Sequence, residues 1–303
     1  MLNKENIILV TGATGAQGGA VAKALLKNGN TVRVIVRGAS RHSKTAEELE
    51  KAGAEMVIAD MEELASLGAA LKDVYGVFSV QGMDDGTDSE RRQATNLLTA
   101  AFKAGVQHVV HASVNQTGNH ERFRNRDKWN KKYWLDKQFG EDVVRTTGFN
   151  YWTILRPVFF MDNFIAPKVV YMFPDLTNAQ IITAWDANAK LQLIAVDDTG
   201  AFAAAAFNNP GKFNKQVIDL AGDQLTIGEI ATSITNVTGR NIHIDYVSEE
   251  EAVQKGMHPG FANAQIWNNE IGYNVDIQSL ITYGLPLTSF RQYLEKNRNL
   301  LPL

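Results

Sequence analysis

Three side chains near the middle of the chain have the types and spacing for acid–base chemistry. Tyr133 and Lys137 stand four residues apart in Tyr133-Trp134-Leu135-Asp136-Lys137. On a helix that spacing puts both on one face. An ammonium beside a phenol lowers its pKa and favours proton transfer near neutral pH. Ser113 follows the β-branched run HVVHA and is placed to hold a substrate carbonyl oxygen. The alternative for Tyr133 is plain packing against Trp129, one turn earlier.

A second constellation lies near the N-terminus. Gly12-Ala13-Thr14-Gly15-Ala16-Gln17-Gly18 is a G-x-x-G-x-x-G turn. Gly12 permits a tight exit from a strand, Gly15 lets backbone approach a pyrophosphate, and Gly18 lets a helix pack on a sheet. Amides at the helix start then face the anion, helped by the helix dipole. Alone the triplet is weak, but a strand precedes it and a helix and second strand follow. The residue closing that second strand selects the cofactor. NAD sites usually carry Asp or Glu there. This chain has Arg37, followed by Arg41, His42 and Lys44. A guanidinium binds a 2′-phosphate through charge-assisted hydrogen bonds, so NADP(H) is expected. The alternative is a solvated basic loop. Asp60 either contacts the adenine amine or caps the helix starting near Glu62. Val80 and Gln81 end a strand beside the expected ribose position. The expected cofactor set is Gly12, Thr14, Gly15, Ala16, Gln17, Gly18, Arg37, Asp60, Met61, Val80, Gln81, Lys137 and Pro157. The expected catalytic set is Tyr133, Lys137 and Ser113, with Lys137 also a ribose ligand.

Elements that would position these residues alternate along the first half. Strands are expected at 7–11, 31–36, 55–59, 76–80, 108–112 and 151–155. Helices are expected at 20–27, 45–52, 62–71, 88–104 and 128–146, the second opened by a Thr45…Glu48 capping box. Strands separated by single helices imply right-handed crossovers and a parallel sheet. The fold class is α/β: a doubly wound parallel-sheet Rossmann fold with a smaller C-terminal α/β substrate lobe. The expected domains are 1–157, binding the cofactor, and 158–303, forming the lobe and partly returning to the sheet at about 191–222. After Pro157 the rhythm breaks, and 158–190 is aromatic-rich and irregular. Beyond it come strands at 216–221 and 241–247 and helices at 226–238, 248–255 and 289–297, with Thr226 and Ser248 as N-caps.

Composition narrows the classes. The chain has 303 residues, 45% hydrophobic and 21% charged, with no Cys and a net charge of −3. No thiolate metal site, disulfide scaffold or cysteine nucleophile is possible. A whole-chain basic field for nucleic acid is absent. The basic segment 120–132 could attract an anion, but a solvated face is the commoner fate of such runs. His108 and His111 share one strand at odd spacing, which points them to opposite faces, unlike a metal pair. No apolar run reaches membrane-helix length and no signal peptide is legible, so the expected location is cytoplasmic.

On these residues the chain resembles the NmrA-like group of atypical short-chain dehydrogenase/reductases. The likeness rests on VTGATGAQGGAVAKALL at 10–26, Arg37 after VRVIV, and Ala59-Asp60 before a helix. KQFGEDVVRTTGFNYWTILRP at 137–157, Phe160 through Phe164, VDDTGAFAAAAF at 196–207 and DLAGDQLTIGEIA at 219–231 extend it. The resemblance implies a Rossmann fold, NADP(H) at Gly12, Gly15, Gly18 and Arg37, and a functional lysine at Lys137. It does not imply one activity. Some members reduce quinones, dyes or plant phenolics; others sense cofactor and regulate a partner. Many lack a tyrosine four residues before the lysine, so Tyr133 is a departure.

The leading expectation is an NADPH-dependent reductase of a small carbonyl, quinone or similar conjugated acceptor. Trp129, Trp134, Phe159 and Phe160 would offer an apolar wall, unless they are core. The competing expectation is an NADP(H)-binding sensor that engages a regulatory protein partner without turnover. A nucleotide-sugar epimerase would reuse Ser113, Tyr133 and Lys137 but usually keeps NAD, which Arg37 opposes.

Overall fold

A computed structural model describes residues 6–82 and 86–303. In chain order the first elements are β1 (Ile7–Val10), α1 (Ala16–Lys27), β2 (Thr31–Val36), α2 (Lys44–Lys51), β3 (Glu55–Ile58) and α3 (Leu64–Ala70). They continue with β4 (Val74–Ser79), α4 (Ser89–Lys103), β5 (His108–Ala112), α5 (Lys131–Thr147) and β6 (Tyr151–Pro157). Then come β7 (Phe159–Phe160), α6 (Val169–Met172), β8 (Gln180–Thr183), β9 (Lys190–Ile194), α7 (Val196–Asn208) and α8 (Pro210–Phe213). The chain finishes with β10 (Gln216–Leu220), β11 (Asp223–Thr226), α9 (Ile227–Thr238), β12 (His243–Tyr246), α10 (Glu249–Gln254), α11 (Pro259–Glu270) and α12 (Phe290–Lys296).

The chain divides into two compact units. The first comprises Met1–His120, Asn130–Pro157 and Thr199–Asp219; the second comprises Glu121–Trp129, Val158–Asp198 and Leu220–Leu303.

The first unit is built on a seven-stranded sheet of order β10-β6-β5-β4-β1-β2-β3. Strands β1 to β6 pair in parallel throughout. This is the doubly wound Rossmann order, whose switch point lies between β1 and β4. Buried strands explain the continuous β-branched runs: Ile8, Leu9 and Val10 are fully buried. Each such aliphatic side chain contributes roughly 1.5–3 kcal/mol of burial. Helix α7 packs its glycine on α1, since a Cβ at Gly200 would sit 2.7 Å from the carbonyl oxygen of Ala20.

Two local expectations are corrected here. Helix α1 begins at Ala16 and includes Gly18 and Gly19, although glycine disfavours helix interiors. Close packing at the turn outweighs that preference. Helix α2 is capped by Ser43, whose hydroxyl accepts from Ala46 N, so Thr45 is already inside the helix.

The second unit contains a three-stranded sheet, β11-β9-β7, and a two-stranded pair, β12-β8. Its apolar core includes Phe164, Leu176, Leu193, Ile230 and Phe290. Thr226 with Glu229, and Ser248 with Glu251, form complete capping boxes at α9 and α10.

Candidate cofactor and proton-transfer site

The glycine turn joins β1 to α1 at the carboxyl edge of the sheet. Gly12 has φ +59°, and a Cβ there would lie 2.8 Å from Val80 Cγ1. A Cβ at Gly18 would lie 2.4 Å from the backbone carbon and oxygen of Gly12 and 2.4 Å from Thr11 O. No side chain fits there. Gly15 N donates to Gly12 O at 2.9 Å, which folds the turn back on itself. Gly15 is the N-cap of α1, with no side-chain cap bond and no acidic residue in the first turn. The first amides of α1 therefore meet no competing anion from their own helix. Gln17 Oε1 is buried without a hydrogen-bond partner among the described residues.

Thr11, which the sequence reading passed over, ties the switch point together. Its hydroxyl lies 3.1 Å from Phe78 O and 3.0 Å from Val80 O, and accepts from Val80 N at 2.9 Å. Its only sequence signal is a lone threonine closing an apolar run.

Arg37 leaves β2 exposed, at the N-cap position of a short 3₁₀ turn, Gly38–Ser40. Its guanidinium has no partner among the described residues. Arg41 differs: Nη1 and Nη2 reach Glu50 Oε2 and Oε1 at 3.1 and 2.6 Å. Asp60 is not the cap of α3. Helix α3 starts at Leu64 with Glu63 in the cap position, and Asp60 Oδ1 instead accepts from Glu62 N at 2.9 Å. Helix α4 pins this loop: Asn96 Nδ2 donates to Met61 O at 2.9 Å, and Arg92 Nε and Gln93 Nε2 to Glu62, each at 3.0 Å. At the end of β4, Gln81 is buried and its amide donates to Ser79 Oγ at 3.0 Å.

Tyr133 and Lys137 share one face of α5, a helix whose N-cap, Asn130, accepts from Tyr133 N. Lys137 Nζ lies 5.6 Å from the Tyr133 ring centroid. Tyr133 is half-buried, and its hydroxyl has no partner among the described residues. The phenol is not acidified as expected. Burial, and then the negative charge of Glu90, push its pKa above that of an ordinary tyrosine. Glu90 is the residue the sequence reading missed, and its Oε1 sits 2.7 Å from Lys137 Nζ. In sequence it is one charge in the run Ser89-Glu90-Arg91-Arg92, indistinguishable from a solvated helix start.

Ser113 is placed differently from the expectation. It is 5% exposed, and its hydroxyl donates to Glu141 Oε1 at 2.6 Å and contacts Thr117 Oγ1 at 3.1 Å. Its proton is directed at a carboxylate in this structure. Glu141 is itself fully buried, bonded by Arg156 Nε and Nη2 at 2.7 Å each and by Arg145 Nη2 at 2.6 Å. Burial pushes Glu141 toward the neutral acid. Arg156, Ser113 and Arg145 outweigh that, and its pKa falls below the usual glutamate value. Pro157, next to Arg156, is buried, and its carbonyl accepts from Asn115 N at 3.1 Å. Asn115 Nδ2 in turn donates to Asp219 Oδ1 at 2.9 Å.

Of the four expected wall aromatics, Trp129 and Trp134 are buried. Phe159 lies in a ring cluster of the second unit, 5.9 Å from Trp185 and 6.2 Å from Phe261 between centroids. The basic segment is largely paired: Arg126 with Glu121, Lys128 with Glu270, and Lys132 with Asp88 and Asp136. Among the described residues no acidic or histidine cluster could hold a metal ion. No helix among them is long and apolar enough to cross a membrane.

Fold order, glycine cradle and exposed arginine together define a dinucleotide-type Rossmann architecture. Residues 4–285 match the NmrA-like family, and the chain belongs to it. It is 26% identical over 302 residues to an NmrA-like family domain-containing protein of Dictyostelium discoideum, covering 95% of this chain and 97% of that one. It is 30% identical over 250 residues to an NmrA-like oxidoreductase of Aspergillus hancockii, covering 77% and 73%. Its fold matches an Escherichia coli NADPH-dependent quinone oxidoreductase solved with NADPH. That match has a TM-score of 0.76 at 23% identity and covers 97% of this chain and 100% of that one.

Proposed function

We propose that this protein is an NADPH-dependent oxidoreductase that reduces a small carbonyl, quinone or similar conjugated acceptor. The observation that carries the reading is the exposed Arg37 beyond β2, unpaired among the described residues, together with a glycine turn whose Gly18 position admits no Cβ. Oxidoreductase-named relatives support it. The residues fit the cofactor: uncapped α1 amides suit a pyrophosphate, Arg37 suits a 2′-phosphate, and Lys137 suits ribose hydroxyls. Bound NADPH supplies a hydride equivalent.

Tyr133 holds the proton. As an acceptor C=O bond becomes C–H and O–H, the phenol O–H donates to the oxygen and takes a proton back from solvent. Tyr133, its pKa raised by burial and by Glu90, is in the protonated, donating form at neutral pH. Lys137, its charge paired with Glu90, fixes the ribose through its remaining N–H donors. Ser113 serves instead as a strut for Glu141.

A second reading, an NADP(H) sensor acting on a protein partner without turnover, has one observation in its favour. Ser113 and Lys137 are both engaged by buried carboxylates.

The test follows NADPH oxidation against a panel of quinones, aldehydes, ketones and azo or triphenylmethane dyes, for wild type and Tyr133→Phe. The reductase reading expects turnover that falls by roughly 10²–10⁴-fold in the variant. Turnover untouched by the substitution removes Tyr133 from the reaction. Tight NADPH binding with no turnover on any acceptor favours the sensor.

A further inference from the structure

Helices α4 and α5 face each other through two adjacent ion pairs of opposite order. Glu90 on α4 meets Lys137 on α5 at 2.7 Å, and the next residue, Arg91, meets Asp136 at 2.5 Å. Lys132 adds contacts to Asp88 at 2.6 Å and Asp136 at 2.8 Å. The Glu90–Lys137 pair differs from them in burial, with side chains only 7% and 13% exposed. It is also the pair beside Tyr133.

We propose that Glu90 is a positioning residue of the reaction site, orienting the Lys137 ammonium and cancelling the charge that would otherwise acidify the Tyr133 phenol. The assignment rests on the reading of Tyr133 and Lys137 as the reacting pair. An ammonium has three N–H donors. With one directed at Glu90, two remain, the number a vicinal ribose diol can accept. The carboxylate also sets the local charge to zero. A lone ammonium within about 4–6 Å of a titrating group lowers an acid's pKa by one to three units, and a paired one does not. Together with burial, the larger cause, Glu90 thereby keeps Tyr133 protonated until an incoming acceptor oxygen draws the proton away.

Other charged groups around the pair are accounted for. On α4 and α5, Arg91, Asp136, Lys132 and Asp88 compensate one another. From β5, His111 is held neutral by burial, with its pKa down at about 4. Glu141 and Arg145, further along α5, pair with each other and with Arg156.

Two variants separate the roles. Glu90→Gln keeps an acceptor for Lys137 but removes the charge; Glu90→Ala removes both. The titration of Tyr133 is read by ring-carbon NMR of ¹³C-tyrosine-labelled full-length protein, assigned with Tyr133→Phe. It requires no turnover. In Glu90→Gln, Tyr133 is expected to ionise about one pH unit or more below wild type. Lys137→Met, with Glu90 intact, is expected to move it the other way. For NADPH, KM is expected to rise about tenfold in Glu90→Ala, the scale of one lost charge-assisted hydrogen bond, and to stay within about twofold in Glu90→Gln. An unchanged Tyr133 titration in folded Glu90→Gln overturns the proposal, as does an unchanged titration in Lys137→Met. A shifted titration in a protein that turns over no acceptor upholds the role of Glu90 and sinks the reductase reading instead.

Discussion

Arg156 closes on Glu141 through two parallel hydrogen bonds, Nε to Oε1 and Nη2 to Oε2, each 2.7 Å long, with the carboxylate fully buried. This pair joins the end of β6 to the middle of α5, one turn beyond Lys137. Glu141 also accepts hydrogen bonds from Ser113 Oγ and from Arg145 Nη2.

Removing one partner strands the other. Glu141→Ala is expected to destabilise the fold by about 2–4 kcal/mol, because the half-buried Arg156 guanidinium loses its counter-charge. Arg145→Ala, at a 31% exposed side chain, is expected to cost under about 1 kcal/mol. Urea denaturation of both variants checks the order. Equal losses would show that Arg156 finds another partner.

Two buried imidazoles set an acid limit. Burial lowers the pKa of His108 and of His111 from 6.5 to about 4. Neither His108 nitrogen has a hydrogen-bond partner among the described residues, and rings of Tyr151 and Phe207 lie 5.7 and 4.9 Å away. A depressed native pKa means the unfolded chain binds the proton first. Stability is therefore complete above about pH 6.5 and drains as pH falls toward 4, by roughly 3 kcal/mol for each ring. His108→Leu is expected to flatten half of that slope in thermal unfolding measured from pH 4 to 7. A slope identical to wild type would remove His108 from the effect.

Gly18 admits no methyl group, because the obstructing atoms at 2.4 Å belong to the backbone of Thr11 and Gly12. Gly18→Ala is expected to cost about 1–3 kcal/mol of stability by overpacking. It should also abolish NADPH binding by shifting the turn. Fluorescence titration with NADPH gives the second readout. Normal affinity in the variant would place the cofactor elsewhere.

Arg37 bears on cofactor choice alone, since it is exposed and carries no internal bond. Arg37→Ala is expected to lose about 1.5–3 kcal/mol of NADPH affinity, about 10- to 150-fold, with NADH unchanged. Arg37→Asp should invert the preference, because the carboxylate repels a phosphate and accepts from a ribose hydroxyl. Equal losses for both nucleotides would take Arg37 off the 2′-phosphate.

Local signals reached far into this protein. Strands β2 and β5 follow from their β-branched runs, and the caps at Thr226 and Ser248 follow from a residue pattern whose bonds close within four residues. The glycine spacing announced the turn because each glycine answers a backbone demand made within seven residues. Helix α7 was illegible as an element: its run Ala201-Phe202-Ala203-Ala204-Ala205-Ala206-Phe207 is apolar all round, so no period distinguishes its faces.

Sequence alone thus determined the parallel α/β class, the glycine turn, the position of Arg37 and the shared face of Tyr133 and Lys137. Tertiary structure alone decided what those groups are bonded to. Glu90 reaches Lys137 across 47 residues, and Glu141 reaches Ser113 across 28. Such pairings depend on which helices the fold lays side by side, and on how fully water is excluded there. A charge in a helical run carries no mark of either, so Glu90 becomes visible as the partner of Lys137 only when α4 and α5 are packed together.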